Sequence, residues 1–260
     1  MNAQIRNKPQ QARFGLTLIE LLVTIAILGV LTALLVPALG KAKNGARATE
    51  CVSNLRQLQI AWQLYVDDSE GLVPPNISAN DGQFWRSSTN SWIGNSSALA
   101  DQDTSTIENG LLFRHDYNRN PSIYRCPSDR SMTVTLPTVP RKRSYSMSGG
   151  FGGRTNEVQK IIQRVSEVPH PAKVFVFIDE AEDSIDDAHF LTWAAPDDRW
   201  VNLPADRHGQ TGTLSFADGH AEKWKWKWPK SFNNRTTYWK AAENAEDLAD
   251  LRRLQEALPK

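Results

Sequence analysis

The sequence predicts an α+β chain in which one long N-terminal helix lies on an antiparallel β-sheet, with loop insertions and a C-terminal helix. Three observations carry this. An apolar run from Leu16 to Leu39 leads directly into a second stretch with helical periodicity. Short strand-type segments bounded by turn residues fill the second half. A closing segment places apolar residues at helical spacing. Charged residues make up 23% of the 260, the net charge is +1, and all nine tryptophans lie beyond residue 61. The region after the helix can therefore build a core, and it lacks the charge imbalance of a nucleic-acid binder.

Between Leu16 and Leu39 the only charged side chain is Glu20. A helix of this length crosses a hydrocarbon layer of about 30 Å with some tilt. A lone acid there costs about 2.5–3.5 kcal/mol, so it marks a function and a partner. Pro37 falls in the helix interior, where a missing backbone hydrogen bond and a clash with the preceding turn predict a kink. Arg6, Lys8 and Arg13 precede the helix with no acid among them. By the positive-inside tendency they hold the leader in the cytoplasm and send the chain after about residue 40 outside the inner membrane. Lys41, Lys43 and Arg47 oppose this weakly and can sit at the interface. Farther on, Ala48, Cys51, Leu55, Leu58, Trp62 and Tyr65 recur at steps of three and four, the stripe of a helix with one buried face. Asp67 to Gly71 and then Pro74-Pro75 end it. A helix from Leu16 to about Val66 measures about 75 Å at 1.5 Å per residue.

The segment Arg13-Phe-Gly-Leu-Thr-Leu-Ile-Glu20 resembles the prepilin signal of type IV pilins and type II secretion pseudopilins. That resemblance implies cleavage between Gly15 and Leu16 by a prepilin peptidase/N-methyltransferase, N-methylation of Leu16, and pairing of Glu20 with the new amino terminus of a neighbouring subunit in a filament. A glycine before the scissile bond suits close approach of a protease to the backbone. An ordinary secretory signal ending at Ala38-Leu39-Gly40 fits less well, because its apolar core spans about 7–15 residues and excludes glutamate. The organisation expected is a basic leader at 1–15, a transmembrane helix at 16–39, an exterior helical half at 40–66 and an exterior pilin-like α+β domain at 67–260.

Within that domain, residues 76–110 are rich in Ser, Asn, Asp and Gly, with Trp85 and Trp92 as isolated anchors of an irregular excursion. Ser144 to Met147 and Val174 to Ile178 have strand composition, the second as a continuous apolar run suited to a buried position. Gly149 to Gly153 lacks the lysine and context of a phosphate-binding loop. Gly212 to Phe216 and Ala221 to Trp228 flank Asp218-Gly219, a strong hairpin signal, with Trp224, Trp226 and Trp228 on one face and Lys223, Lys225 and Lys227 on the other. From about Thr237 to Leu258, Trp239, Ala242, Leu248, Leu251 and Leu254 predict a docked helix.

His208, nine intervening residues and Asp218-Gly219 resemble the H-X9-DG module found with prepilin-type leaders in large pseudopilin-like families of planctomycetes and verrucomicrobia. Cys51 to Gln57, Tyr124 to Asp129 and Phe175 to Glu180 fit the same resemblance. It promises no enzyme. A His208–Asp218 dyad, with Ser215 or Ser144 completing a triad, can be sketched but has no nucleophile elbow behind it. The plainer expectation is that Asp218 shapes the turn, His208 bonds to a nearby backbone group, and the tryptophan stripe packs in the core rather than binding sugar. Cys51 and Cys126 are the only cysteines; in an exported domain they form either a disulfide or two buried thiols. No cofactor is expected. Asp179, Glu180, Asp183, Asp186 and Asp187 offer calcium-type oxygen ligands, but their spacing fits no EF-hand, so a solvated acidic loop is the simpler reading.

Overall fold

The computed structural model describes residues 17–153, 160–230 and 239–260. It divides into two compact units, Met1–Lys43 and Asn44–Lys260. Helix α1 covers Leu18–Asp68. Next come strands β1 (Ser78–Asn80) and β2 (Trp85–Ser87), short helices α2 (Ser105–Glu108) and α3 (Leu111–Arg114), and a 3-10 turn at Pro121–Tyr124. Strands β3 (Tyr145–Ser148), β4 (Phe175–Asp179), β5 (His189–Phe190), β6 (Arg199–Trp200), β7 (Thr211–Phe216), β8 (Ala221–Lys225) and β9 (Lys240–Ala241) precede the last helix, α4 (Ala245–Glu256).

In the first unit, the side chains of residues 18–43 are exposed all round, including Leu18, Ile27, Leu34 and Leu39. A helix that is apolar on every side calls for lipid or other helices around it. This stretch is long and apolar enough to cross a membrane. Pro37 lies inside α1, which continues through it.

In the second unit, the sheet order is β5-β3-β4-β7-β8. Four of these strands pair antiparallel, and β5 alone joins β3 in parallel. The second half of α1 covers one face: Cys51, Leu55, Leu58, Trp62 and Val66 pack with Tyr145, Met147 and Phe177. The buried positions of α1 follow the spacing that the sequence predicts. The helix ends where Glu70 and Gly71 take positive φ and Gly71 N–H donates to the carbonyl of Val66, a left-handed helix cap. The opposite face of the sheet belongs to α4, whose Leu251 and Leu254 pack on Phe175, Phe216, Trp224 and Trp226.

Two expectations need correction. Helix α4 begins at Ala245, not near Thr237, because the Asn244 side chain accepts from the N–H groups of Glu246 and Asp247 and fixes the start there. Trp239 has φ +77° and Lys240–Ala241 pair with β6, so that part of the expected helix is turn and strand; Thr237 lies outside the described residues. In the excursion at 76–110, Trp92 is an anchor, stacked on Tyr124 and donating to the carbonyl of Ala188, but Trp85 is 44% exposed.

Strand β4 is buried along its whole length, as its apolar run predicts, yet it is irregular. Its pairing with β7 shifts register between Phe175 and Phe177. Phe175 and Ile178 then face α4, while Val176 and Phe177 face α1. A bulge of this kind re-aims the residues beyond it. Here it turns Asp179 toward α1.

Candidate functional site

Gly15 and Leu16 lie outside the described residues. Glu20 opens α1 in a local arrangement: its carboxylate accepts from the N–H and hydroxyl of Thr17, each at 2.8 Å, while Glu20 N–H donates to Thr17 Oγ1 at 3.2 Å. This is a reciprocal capping box, legible in the spacing Thr-x-x-Glu. The acid thus has a partner within its own chain at the first helical turn.

The module at 208–228 separates into two ends of one hairpin. Asp218 and Gly219 form the β7–β8 turn, Gly219 with φ +101°. Asp218 Oδ1 accepts from His220 N–H at 3.1 Å and lies 2.6 Å from His220 Nδ1. His208 stands before β7, six strand residues away, a distance of about 20 Å along the strand. The sketched His208–Asp218 dyad therefore gives way to a His220–Asp218 pair. The hydroxyls of the sketched triad are engaged elsewhere: Ser215 donates to Gln59 and Ser144 to Asp129. Trp224 and Trp226 are buried against α4, as core packing predicts, and Trp226 Nε1 donates to the carbonyl of Ala205.

His208 reaches a cluster that the sequence did not join. Its Nε2 lies 3.2 Å from Cys126 Sγ, and ligand-type atoms of Cys51, Cys126, Asp179 and His208 all fall within 4.8 Å of one another. Among the described residues this is the one such grouping of His, Cys, Asp and Glu. Cys51 comes from α1, Cys126 follows the 3-10 turn, Asp179 ends β4 and His208 precedes β7. Both cysteines are free thiols with no exposed surface, so the bridge weighed from the sequence is not formed. Around Cys51 Sγ stand Thr213 Oγ1 at 3.0 Å, Tyr145 Oη at 3.1 Å and Asp179 Oδ2 at 3.6 Å. Arg207 donates to the Asp179 carboxylate and to the carbonyl of Glu180, and its guanidinium lies 3.7 Å from Asp129. Asn54 donates to the carbonyl of Arg125 at 3.2 Å and so ties the Cys126 loop to α1.

The electrostatics follow from burial. The Cys126 thiol is pushed up by its hydrogen bond with Cys51 and by burial. Burial raises Asp179 to about 6 against the pull of Arg207. Burial lowers His208, helped by Arg207, Lys223 and Arg47, which favours the uncharged imidazole.

The five acids offered for calcium do not form one ligand shell. Asp179 faces the thiols, Glu180 accepts from Ser184 and Asn202, and Asp187 accepts from Ser78 and from His189 N–H. Asp183 is partly exposed; Asp186 is buried and accepts at its carbonyl from Arg143. Glu180 and Asp186–Asp187 surround the buried Arg143 guanidinium, which also donates to Tyr145 and Ser146, so much of this acidity is internal rather than solvated. Asp186, Asp187 and His189 also line a cavity of about 420 Å³ bordered by Trp85 and Trp239.

Comparison with known families gives two matches. Residues 40–169, half of the chain, match the family described as protein of unknown function (DUF1559). Residues 11–36 match the prokaryotic N-terminal methylation motif. No curated protein and no solved structure matches the chain.

Proposed function

We propose that this protein, which belongs to the DUF1559 family of proteins of unknown function and carries a prepilin-type N-terminal methylation motif, is a pilin-like structural subunit. It is cut between Gly15 and Leu16, N-methylated, and assembled with other pilin-like subunits into a type IV pilus-like or type II secretion filament. The observation that carries this reading is the methylation motif at residues 11–36, set on a helix whose side chains from Leu18 to Leu39 are exposed on every side. The anchor sits in the inner membrane with the leader cytoplasmic and the second unit outside, an orientation supported by Arg6, Lys8 and Arg13.

Assembly exploits one exchange of partners. In the isolated chain Glu20 bonds to Thr17. Cleavage creates an ammonium at Leu16, and in a filament that group of an adjacent subunit meets Glu20. A charge pair in low dielectric selects register, because removing one partner strands the other at about 3–5 kcal/mol. The reading is structural and assigns no catalytic step. Mass spectrometry of the mature N-terminus should find methylated Leu16. Glu20→Ala should leave cleavage intact yet abolish the ladder of oligomers seen on cross-linking in membranes. A chain that still begins upstream of Leu16, or begins after Gly40, refutes the proposal.

A second reading is a non-polymerising tethered domain that binds glycans. The cavity between Trp85 and Trp239 favours it, because partly exposed indole rings at its border offer stacking to a sugar. Glycan binding by a protein that gives no oligomer ladder would select it.

A further inference from the structure

We infer that Cys51, Cys126, Asp179 and His208 form a closed four-ligand site for zinc(II), which fastens the second half of α1 to the sheet. Zinc sites of this type are tetrahedral, with bonds of about 2.0–2.3 Å, so their ligand atoms stand roughly 3.3–3.8 Å apart. Here Cys126 Sγ and His208 Nε2 are 3.2 Å apart, Cys51 Sγ and Asp179 Oδ2 are 3.6 Å apart, and no pair among the four exceeds 4.8 Å. Closing on an ion requires shifts of about 1 Å or less.

The donor set selects the metal. Two sulfurs and an imidazole nitrogen suit a borderline-soft ion, while a single carboxylate cannot supply the six to eight oxygens of calcium. All four positions are filled by protein, the pattern of a structural rather than a hydrolytic centre.

The surroundings suit the charged, metal-bound state. As a thiol Cys51 gives its one proton to Asp179 Oδ2 at 3.6 Å, and its sulfur is approached by two hydroxyls, Thr213 at 3.0 Å and Tyr145 at 3.1 Å. Both can donate to a thiolate, which accepts more than one hydrogen bond. Zinc with two thiolates and one carboxylate carries a net charge of −1, which the Arg207 guanidinium bound to Asp179, and shared with Asp129 at 3.7 Å, partly offsets. Binding releases the two thiol protons to water. His208 is partly exposed and a cavity of about 430 Å³ reaches Cys126, which gives the ion a way in. A disulfide between the two cysteines would use the sulfurs but leave the His208 ring nitrogen beside them without a role.

The test uses the full-length chain in detergent, grown with zinc and measured by elemental mass spectrometry. Wild type should hold about one zinc per chain, and Cys51→Ser and His208→Gln should each lower that at least tenfold. His208 is not fully buried, so its variant keeps the fold testable by circular dichroism. The metal-stripped wild type, given cobalt(II), should develop thiolate-to-cobalt charge-transfer absorption and the intense visible bands of a tetrahedral ion. Wild type with under about 0.1 metal per chain and no cobalt bands overturns the site. So does a Cys51–Cys126 disulfide in protein alkylated in its native membrane, or full zinc retention in His208→Gln. Processing at Gly15 is read separately, so this proposal and the filament reading fail independently.

Discussion

Lys230→Met tests the layer formed by α4 and the sheet. The Lys230 side chain is 1% exposed, with Nζ 2.6 Å from Asp247 Oδ1 and 2.8 Å from Asp250 Oδ2. Its ammonium also lies 5.0 Å from the Trp200 ring and 5.7 Å from that of Trp226. The two carboxylates hold more than the lysine. Asp247 accepts from Trp200 Nε1 at 3.2 Å and from Glu243 N–H at 3.0 Å, and Asp250 accepts from the N–H groups of Lys227 and Trp228. Methionine fills similar space but strands two like charges in a buried site. Removing one partner of a buried pair costs about 3–5 kcal/mol. In a unit of this size, that lowers Tm by roughly 6–20 °C. Thermal melting of the full-length chain, followed by near-ultraviolet circular dichroism, reads the loss at the indoles themselves. Adding Asp247→Asn removes one stranded charge and should recover about half. A Lys230→Met chain melting within about 2 °C of wild type would show that water already reaches this site and that the burial argument is wrong.

Two further outcomes follow. Burial lowers the His189 imidazole from 6.5 to about 4, with Asp186 and the Gly149 backbone opposing. The unfolded chain therefore binds the proton first as pH falls, so stability is full above pH 6.5 and declines down to about pH 4. The decline is at most about 3 kcal/mol, less where water reaches the partly exposed ring; denaturant titrations of His189→Gln should lose that portion of the slope, and an unchanged slope would refute the assignment. Asp218→Ala removes the turn bonds to His220 and should cost about 1 kcal/mol while leaving metal content unchanged. A parallel loss of metal would join the two ends of the hairpin in a way the geometry does not.

Much of the frame was legible because it rests on local pattern. The stripe from Ala48 to Tyr65 needs only helical spacing, the apolar run at Val174 to Ile178 needs only burial, and Asp218-Gly219 needs only turn chemistry. The cluster was not legible for a different reason. In sequence Cys51 and Cys126 suggest a bridge, Asp179 an acidic loop and His208 a backbone contact. What unites them is which face of β4 Asp179 occupies, and that depends on an irregularity between Phe175 and Phe177 that a uniform run of apolar residues does not reveal. Trp85 and Trp92 were alike in sequence, yet only Trp92 meets Tyr124 and Phe177, both far away along the chain. Trp239 failed as a helical residue because its backbone adopts a positive φ that no apolar periodicity encodes. The Thr17–Glu20 box is readable in the Thr-x-x-Glu spacing, since it needs only the first turn of a helix.

Helices cover both broad surfaces of the five-stranded sheet, α1 on one side and α4 on the other. Strand pairing with another copy would have to start at its rims. One rim is the two-residue β5; the other is β8, where exposed Lys223 and Lys225 alternate along the strand. Short or lysine-studded borders discourage strand-to-strand growth between molecules. Wherever copies crowd together, then, their sheets are steered away from fusing into a common β-ribbon.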